Sequence, residues 1–230
     1  MVNIMTVQRK NKNIFSDKAS LVARRMLSAP DNKWVVRDFV DAGLVSIGLA
    51  QGVINAMDNR GYIERSGSGP SSYTMLTNPN NLVEDWRKEY HFGMNEAHTF
   101  YSADKQILRK IKKYIKSDAY ALTLHAGANQ LTSHVKTEDV HLYLKSDSWD
   151  ADVTALRQQL DLKELVRGGN IHFVKPYYKT SVYVNSQMIN GYSVVSNLQL
   201  YLDLYNFKPR GLEHATFLKD FLAQRGKRLA

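Results

Sequence analysis

Two primary amides, Gln51 and Asn55, stand four residues apart in the run from Val45 to Ile63, a spacing that puts both on one face of a helix. A side-chain amide donates and accepts at once, so it can pair with both polar positions that adenine shows in the major groove of DNA. Gly48, Gly52 and Asn59 fall on the same face, opposite the apolar stripe Ala50, Val53 and Met57. The glycines would let a helix backbone come close to a duplex. Ser46 precedes the helix and can both cap it and touch a phosphate. Two helical glycines cost about 1 kcal/mol each relative to alanine, a cost that close approach would offset. The plain alternative is a solvated polar face.

Basic residues surround this run. Arg65 and the tip Ser66-Gly67-Ser68-Gly69 could reach adjacent backbone or the minor groove, although Gly-Ser-Gly also simply closes a hairpin. Arg37 and Lys33 are phosphate candidates, and Arg9, Lys10 and Lys12 could form a basic arm or a frayed end. The lysine-rich segment from Lys105 to Lys116 could extend the same track or be a solvated face.

The elements needed to hold these residues can be read from the pattern. Ser16 or Asp17 opens a first helix with Leu21, Val22, Met26 and Leu27 inward, ended by Pro30. A short strand over Lys33 to Val36, a short helix over Arg37 to Ala42, a turn at Gly43 and the helix after Ser46 follow. Tyr62 to Arg65 then faces Tyr73 to Leu76 as a hairpin. This order is that of a winged helix-turn-helix, in which the last helix enters the major groove. Asn78-Pro79-Asn80-Asn81 has boundary chemistry, so residues 1–78 read as one domain and residues 79–230 as another.

The second part reads as mixed α/β, which makes the chain α+β overall. Helices are expected over Leu82 to Tyr90, Asp104 to Ser117, Ala126 to Ser133, Asp150 to Leu160, Asn197 to Tyr205 and Leu212 to Arg225. Strands are expected over Ala119 to Leu124, Val140 to Leu144, Asn170 to Pro176 and Ser181 to Val184.

Composition narrows the classes. The net charge of +9 favours an anionic partner, nucleic acid first and a membrane surface second, and the helix pattern above makes double-stranded DNA the expected one. With no cysteine there is no disulfide framework, thiolate zinc site or cysteine nucleophile. No apolar run approaches a membrane span and no signal peptide is evident, so a cytoplasmic protein without a membrane role is expected. Asp147, Asp150 and Asp152 suit a helix start better than a metal site, and the seven histidines lack metalloprotease spacing. No cofactor, metal or catalytic residue is expected.

The stretches Tyr120-Ala121-Leu122-Thr123, Ala126 to Ser133, Val140-His141-Leu142-Tyr143-Leu144, Arg167-Gly168-Gly169-Asn170 and Tyr192 to Leu204, together with the N-terminal pattern, resemble the AbiEi family of antitoxin-type regulators from type IV toxin–antitoxin systems. The resemblance implies a repressor of its own operon that counters a nucleotidyltransferase toxin without necessarily binding it.

An enzyme is the competing reading of the same region. Gly127-Ala128 followed by Glu138-Asp139-Val140-His141 faintly resembles the nucleotidyltransferase pattern, whose chemistry needs two carboxylates two residues apart on a strand to hold Mg²⁺. His141 stands where the second acid should be, so at most a degenerate nucleotidyltransferase-like fold without activity is expected. A protein-binding adaptor built on a winged helix is the third reading.

Overall fold

The computed structural model describes residues 13–229. The basic arm expected at Arg9, Lys10 and Lys12 lies outside the described residues. The chain divides into two compact units, Met1–Val83 and Glu84–Ala230. Both helices and sheets are present, and the architecture is α+β.

In the first unit, α1 (Asp17–Ser28) buries Leu21, Val22, Met26 and Leu27 and stops ahead of Pro30, whose ring is incompatible with a helix interior. The second helix, α2 (Val36–Val40), is fixed at its start by the Asp38 carboxylate, which accepts from the Val35 N–H at 2.7 Å. Next come α3 (Ile47–Asn59) and the antiparallel pair β1 (Ile63–Ser66) and β2 (Tyr73–Leu76), with Ile63 opposite Leu76 and Ser66 opposite Tyr73. The strand expected over Lys33 to Val36 is reduced to one residue. Trp34 exchanges both backbone hydrogen bonds with Thr74 at 2.8 Å, and the chain turns into α2 directly afterwards.

The division between the units falls inside α4 (Pro79–Glu89). After it come β3 (Glu96–Phe100), α5 (Ile107–Tyr114), β4 (Tyr120–Thr123), α6 (Leu124–Ala128), β5 (Val140–Leu144), α7 (Trp149–Gln159), β6 (Ile171–Lys175), β7 (Gln187–Ile189), β8 (Tyr192–Val194), α8 (Asn197–Tyr205) and α9 (Gly211–Ala223). One six-stranded sheet runs in the order β3-β6-β5-β4-β8-β7, with β5/β6 and β4/β8 parallel and the other pairs antiparallel. Every residue of β4 and β5 is buried, as expected for central strands covered on both faces.

Several elements differ from the sequence expectation. Ser181 to Val184 is a 3-10 turn closed by the Val184 N–H onto the Ser181 carbonyl, not a strand. β-Branched character suits any buried segment, and here Ser181 and Val182 are buried within the 3-10 turn. The helix expected over Asp104 to Ser117 is shorter, because the Asp104 carboxylate turns the chain by accepting from the Gln106 N–H. The helix expected over Ala126 to Ser133 begins at Leu124 and ends at Ala128. It packs so closely that a Cβ on Gly127 would lie 2.8 Å from the Leu122 carbonyl oxygen and 2.9 Å from a Leu200 methyl. β3, β7 and β8 have no counterpart among the strands expected from the sequence.

Candidate nucleic-acid interface

Helix α3 is held by Ala50, Val53, Ile54, Ala56 and Met57 on its buried side. The Ser46 hydroxyl caps it, accepting from the Leu49 N–H at 3.3 Å. Ile47, Gly48 and Gln51 are exposed on the other side, with Gly52 and Asn55 half-buried. The amides are wired together. Asn55 Oδ1 accepts from Gln51 Nε2 at 3.0 Å and from Arg65 Nη2 at 2.6 Å. Arg65 Nε in turn pairs with Asp58 Oδ2 at 2.8 Å.

An amide oxygen has two lone pairs, so two donors saturate it. Asn55 is left with its N–H groups alone, whereas Gln51 keeps its carbonyl oxygen and one N–H. Of the two, only Gln51 retains the donor and acceptor pair that an adenine edge requires. Arg65 differs from the expectation in a related way. Instead of extending from the hairpin, it folds back on α3, because Asp58 and Asn55 offer its guanidinium fixed acceptors within reach of β1.

A cavity of about 670 Å³ opens beside α3, with Arg37, Gln51, Ile54, Arg65, Ser66 and Tyr73 among its lining residues. Four of the expected residues, Arg37, Gln51, Arg65 and Ser66, therefore share one groove, and Asn55 joins them by hydrogen bonding. Ser46, Gly48 and Gly52 lie along α3 outside the groove wall, and Ser68 is exposed at the hairpin tip. There Gly67, at φ +78°, leaves no room for a side chain: a Cβ would stand 2.7 Å from the Ser71 carbonyl oxygen. The Tyr73 phenol is shifted below its usual pKa by a hydrogen bond with Ser66 and then by the charge of Lys33, whose ammonium lies 4.6 Å from the ring centre.

Sequence reasoning missed Ile47 and Tyr73. Ile47 is 63% exposed and stands four residues before Gln51, so the same helical spacing that picked out the amides would have found it. The lysine-rich segment is partly occupied: Lys110 pairs with Asp104 at 2.8 Å, and Lys112 lies over the Tyr192 ring.

The second unit is organised around a buried carboxylate. Asp203 on α8 is fully buried, and both its oxygens are filled. Oδ1 accepts from the Tyr90 hydroxyl and Gln199 Nε2, each at 2.7 Å; Oδ2 accepts from the Thr123 hydroxyl at 2.5 Å and the Tyr143 hydroxyl at 3.1 Å. Burial pushes its pKa up to about 6 against these hydrogen bonds. The segment with the faint nucleotidyltransferase resemblance holds no acid on its strand, where His141 stands two positions after Asp139. Glu138 and Asp139 precede β5, which starts at Val140, so the two carboxylates do not share a strand face. Among the described residues, no cluster of three or more His, Cys, Asp or Glu could hold a metal ion.

A family model described as transcriptional regulator, AbiEi antitoxin, type IV toxin–antitoxin system matches residues 75–223. The chain belongs to this family. No curated protein and no solved structure matches the chain. The AbiEi match begins in β2 and ends with the last residue of α9, so it takes in the six-stranded sheet and leaves α1, α2 and α3 outside. As a family member the protein is a transcriptional regulator of antitoxin type. Among the described residues, no helix is long and apolar enough to cross a membrane.

Proposed function

We propose that this AbiEi-type regulator binds double-stranded DNA through a winged helix-turn-helix in its first unit and represses its own operon. The observation that carries this reading is the exposed face of α3, where Gln51, Asn55 and Arg65 form one hydrogen-bonded reading surface beside a groove lined by Arg37. Charge supports it. Residues 1–78 hold ten Lys and Arg against six Asp and Glu. The protein is expected to act in the cytoplasm, to be functionally linked to a nucleotidyltransferase toxin and to carry out no catalysis itself; His141, standing two positions after Asp139 in place of an acid, supports the last point.

The test is a retardation assay of the full chain on its own promoter. Phosphate contacts release counterions, so affinity should fall about tenfold or more between 50 and 200 mM salt. In the same preparation, labelled nucleotide with Mg²⁺ should be transferred to neither RNA nor protein. No more retardation than a neutral control protein gives would remove the DNA-binding reading.

Gly48 provides a sharper check. A Cβ there would meet nothing within 4 Å, so internal packing does not require glycine at this position. Gly48→Ala should therefore raise stability by up to about 1 kcal/mol through helix propensity. If the glycine serves close approach of the backbone to DNA, the same variant binds the promoter more weakly. A variant that is more stable and binds equally well would show that α3 keeps its distance from the duplex.

A further inference from the structure

In the second unit a cavity of about 420 Å³ lies between the segment before β5 and the segment joining α8 to α9. That volume is in the range of small-molecule sites. Three histidines from separate elements line it: His125 of α6, His141 of β5 and His172 of β6. The His141 and His172 rings are register partners on adjacent parallel strands and stack face to face, 3.9 Å apart and 9° from parallel. Phe207 stands edge-on to His141.

The partners of these rings differ. His125 is satisfied by His214 Nδ1 at 2.9 Å and the Pro209 carbonyl oxygen at 3.1 Å, and His172 Nδ1 meets the Thr99 hydroxyl at 2.9 Å. His141 is only 6% exposed, its ring stacked on His172 and met edge-on by Phe92 and Phe207, and its nitrogens are not among the buried atoms left without a partner. A neutral imidazole carries one donor and one acceptor. Burial, followed by the neighbouring His172 and His125, holds its pKa down to about 3, so at neutral pH it offers an N–H without a charge.

Charged groups around the cavity define what it can take. Lys136 and Lys208 are exposed, line the cavity from two separate segments and form no ion pair among the described residues. Arg210 is occupied by both oxygens of Glu213. Asp139 lies 3.9 Å from His172, and Glu138 completes the rim. The lysines supply counter-charge for an anion. The two carboxylates disfavour a bare dianion but accept hydrogen bonds from hydroxyl groups.

We propose that this pocket binds a small hydroxyl-bearing phosphate monoester, with Lys136 and Lys208 as counter-charges, His141 donating to the phosphate and Glu138 and Asp139 accepting from the hydroxyls. This site is separate from the DNA-reading proposal and stands or falls without it.

The test uses the full chain labelled at the histidine rings and followed by NMR. The probes are ribose 5-phosphate, adenosine 5′-monophosphate and inorganic phosphate. At least one ester should shift the His141 and His172 signals saturably, with inorganic phosphate about tenfold weaker, as expected for loss of one charge-assisted hydrogen bond. Which ester binds more tightly distinguishes a sugar phosphate from a nucleotide. Lys136→Met and Lys208→Met should each weaken ester binding about tenfold while leaving the circular dichroism spectrum unchanged, since both side chains are exposed. Unmoved His141 signals, ester binding that survives both lysine substitutions, or inorganic phosphate binding as tightly as the esters would overturn the proposal.

Discussion

Gln51→Ala is expected to cut the ratio of operator to scrambled-duplex affinity by about 5- to 150-fold, the range for one lost bidentate contact to adenine. Its free carbonyl oxygen and remaining N–H make it the side chain of α3 best able to read both positions of that edge. Asn55→Ala should act differently. Because Asn55 Oδ1 holds both Gln51 and Arg65, its removal frees two side chains at once and should lower discrimination and overall affinity together. Arg65→Ala should do the same through Asn55. From sequence alone, Arg65 would be expected to weaken binding to all duplexes evenly, as a phosphate contact on the hairpin does. Measuring each variant on operator and scrambled duplexes at one salt concentration separates these outcomes. If Gln51→Ala keeps the wild-type ratio, α3 is not the reader, and the lysine-rich segment around α5 becomes the next candidate.

The largest expected loss of stability comes from Asp203→Ala. Four donors, from Tyr90, Gln199, Thr123 and Tyr143, converge on this carboxylate in a site without solvent. Removing it leaves a cavity and several unpaired polar groups, a combination worth about 3 to 5 kcal/mol. For a chain of this length that corresponds to a fall in Tm of roughly 10 °C or more. Asp203→Asn should be milder, about 1 to 2 kcal/mol, because one oxygen remains an acceptor and the Thr123 and Tyr143 hydroxyls can rotate to accept from the new amide. Thermal melts of the two variants beside the parent check this order. An Asp203→Ala protein that melts with the parent would mean the cluster contributes nothing net.

Much of the first unit is legible in the sequence because its signals are local. Ser46 caps α3 as its residue type suggests, and the stripe Ala50, Val53 and Met57 is buried as its period requires. In the second unit the missed strands are short or polar. β3 reads Glu-Ala-His-Thr-Phe and pairs only with β6, so as an edge strand it lacks the apolar alternation that marks a half-buried one. β7 and β8 are three residues each, yet the Asn190-Gly191 turn between them, at φ +52° and +78°, is a strong hairpin signal that was there to be read. The Asp203 cluster and the His141 pocket follow no local rule. Their members come from the residue after α4 and from β4, α6, β5, β6 and α8, and only the tertiary fold brings them together. The Asn55–Arg65 bond is similar in kind, since it depends on how far β1 folds back over α3.

The empty space around Gly48 also bears on laboratory evolution of this protein. A library screened only for heat resistance would reward alanine at this position, since nothing inside the protein resists the added methyl group. Such a screen would enrich the substitution expected to impair promoter recognition, and the winners would be robust proteins with a blunted regulatory response. Selection on a reporter under the protein's own promoter would run the other way, retaining glycine at the expense of a less stable helix. The residue recovered at position 48 thus reports which of the two pressures a given experiment applied.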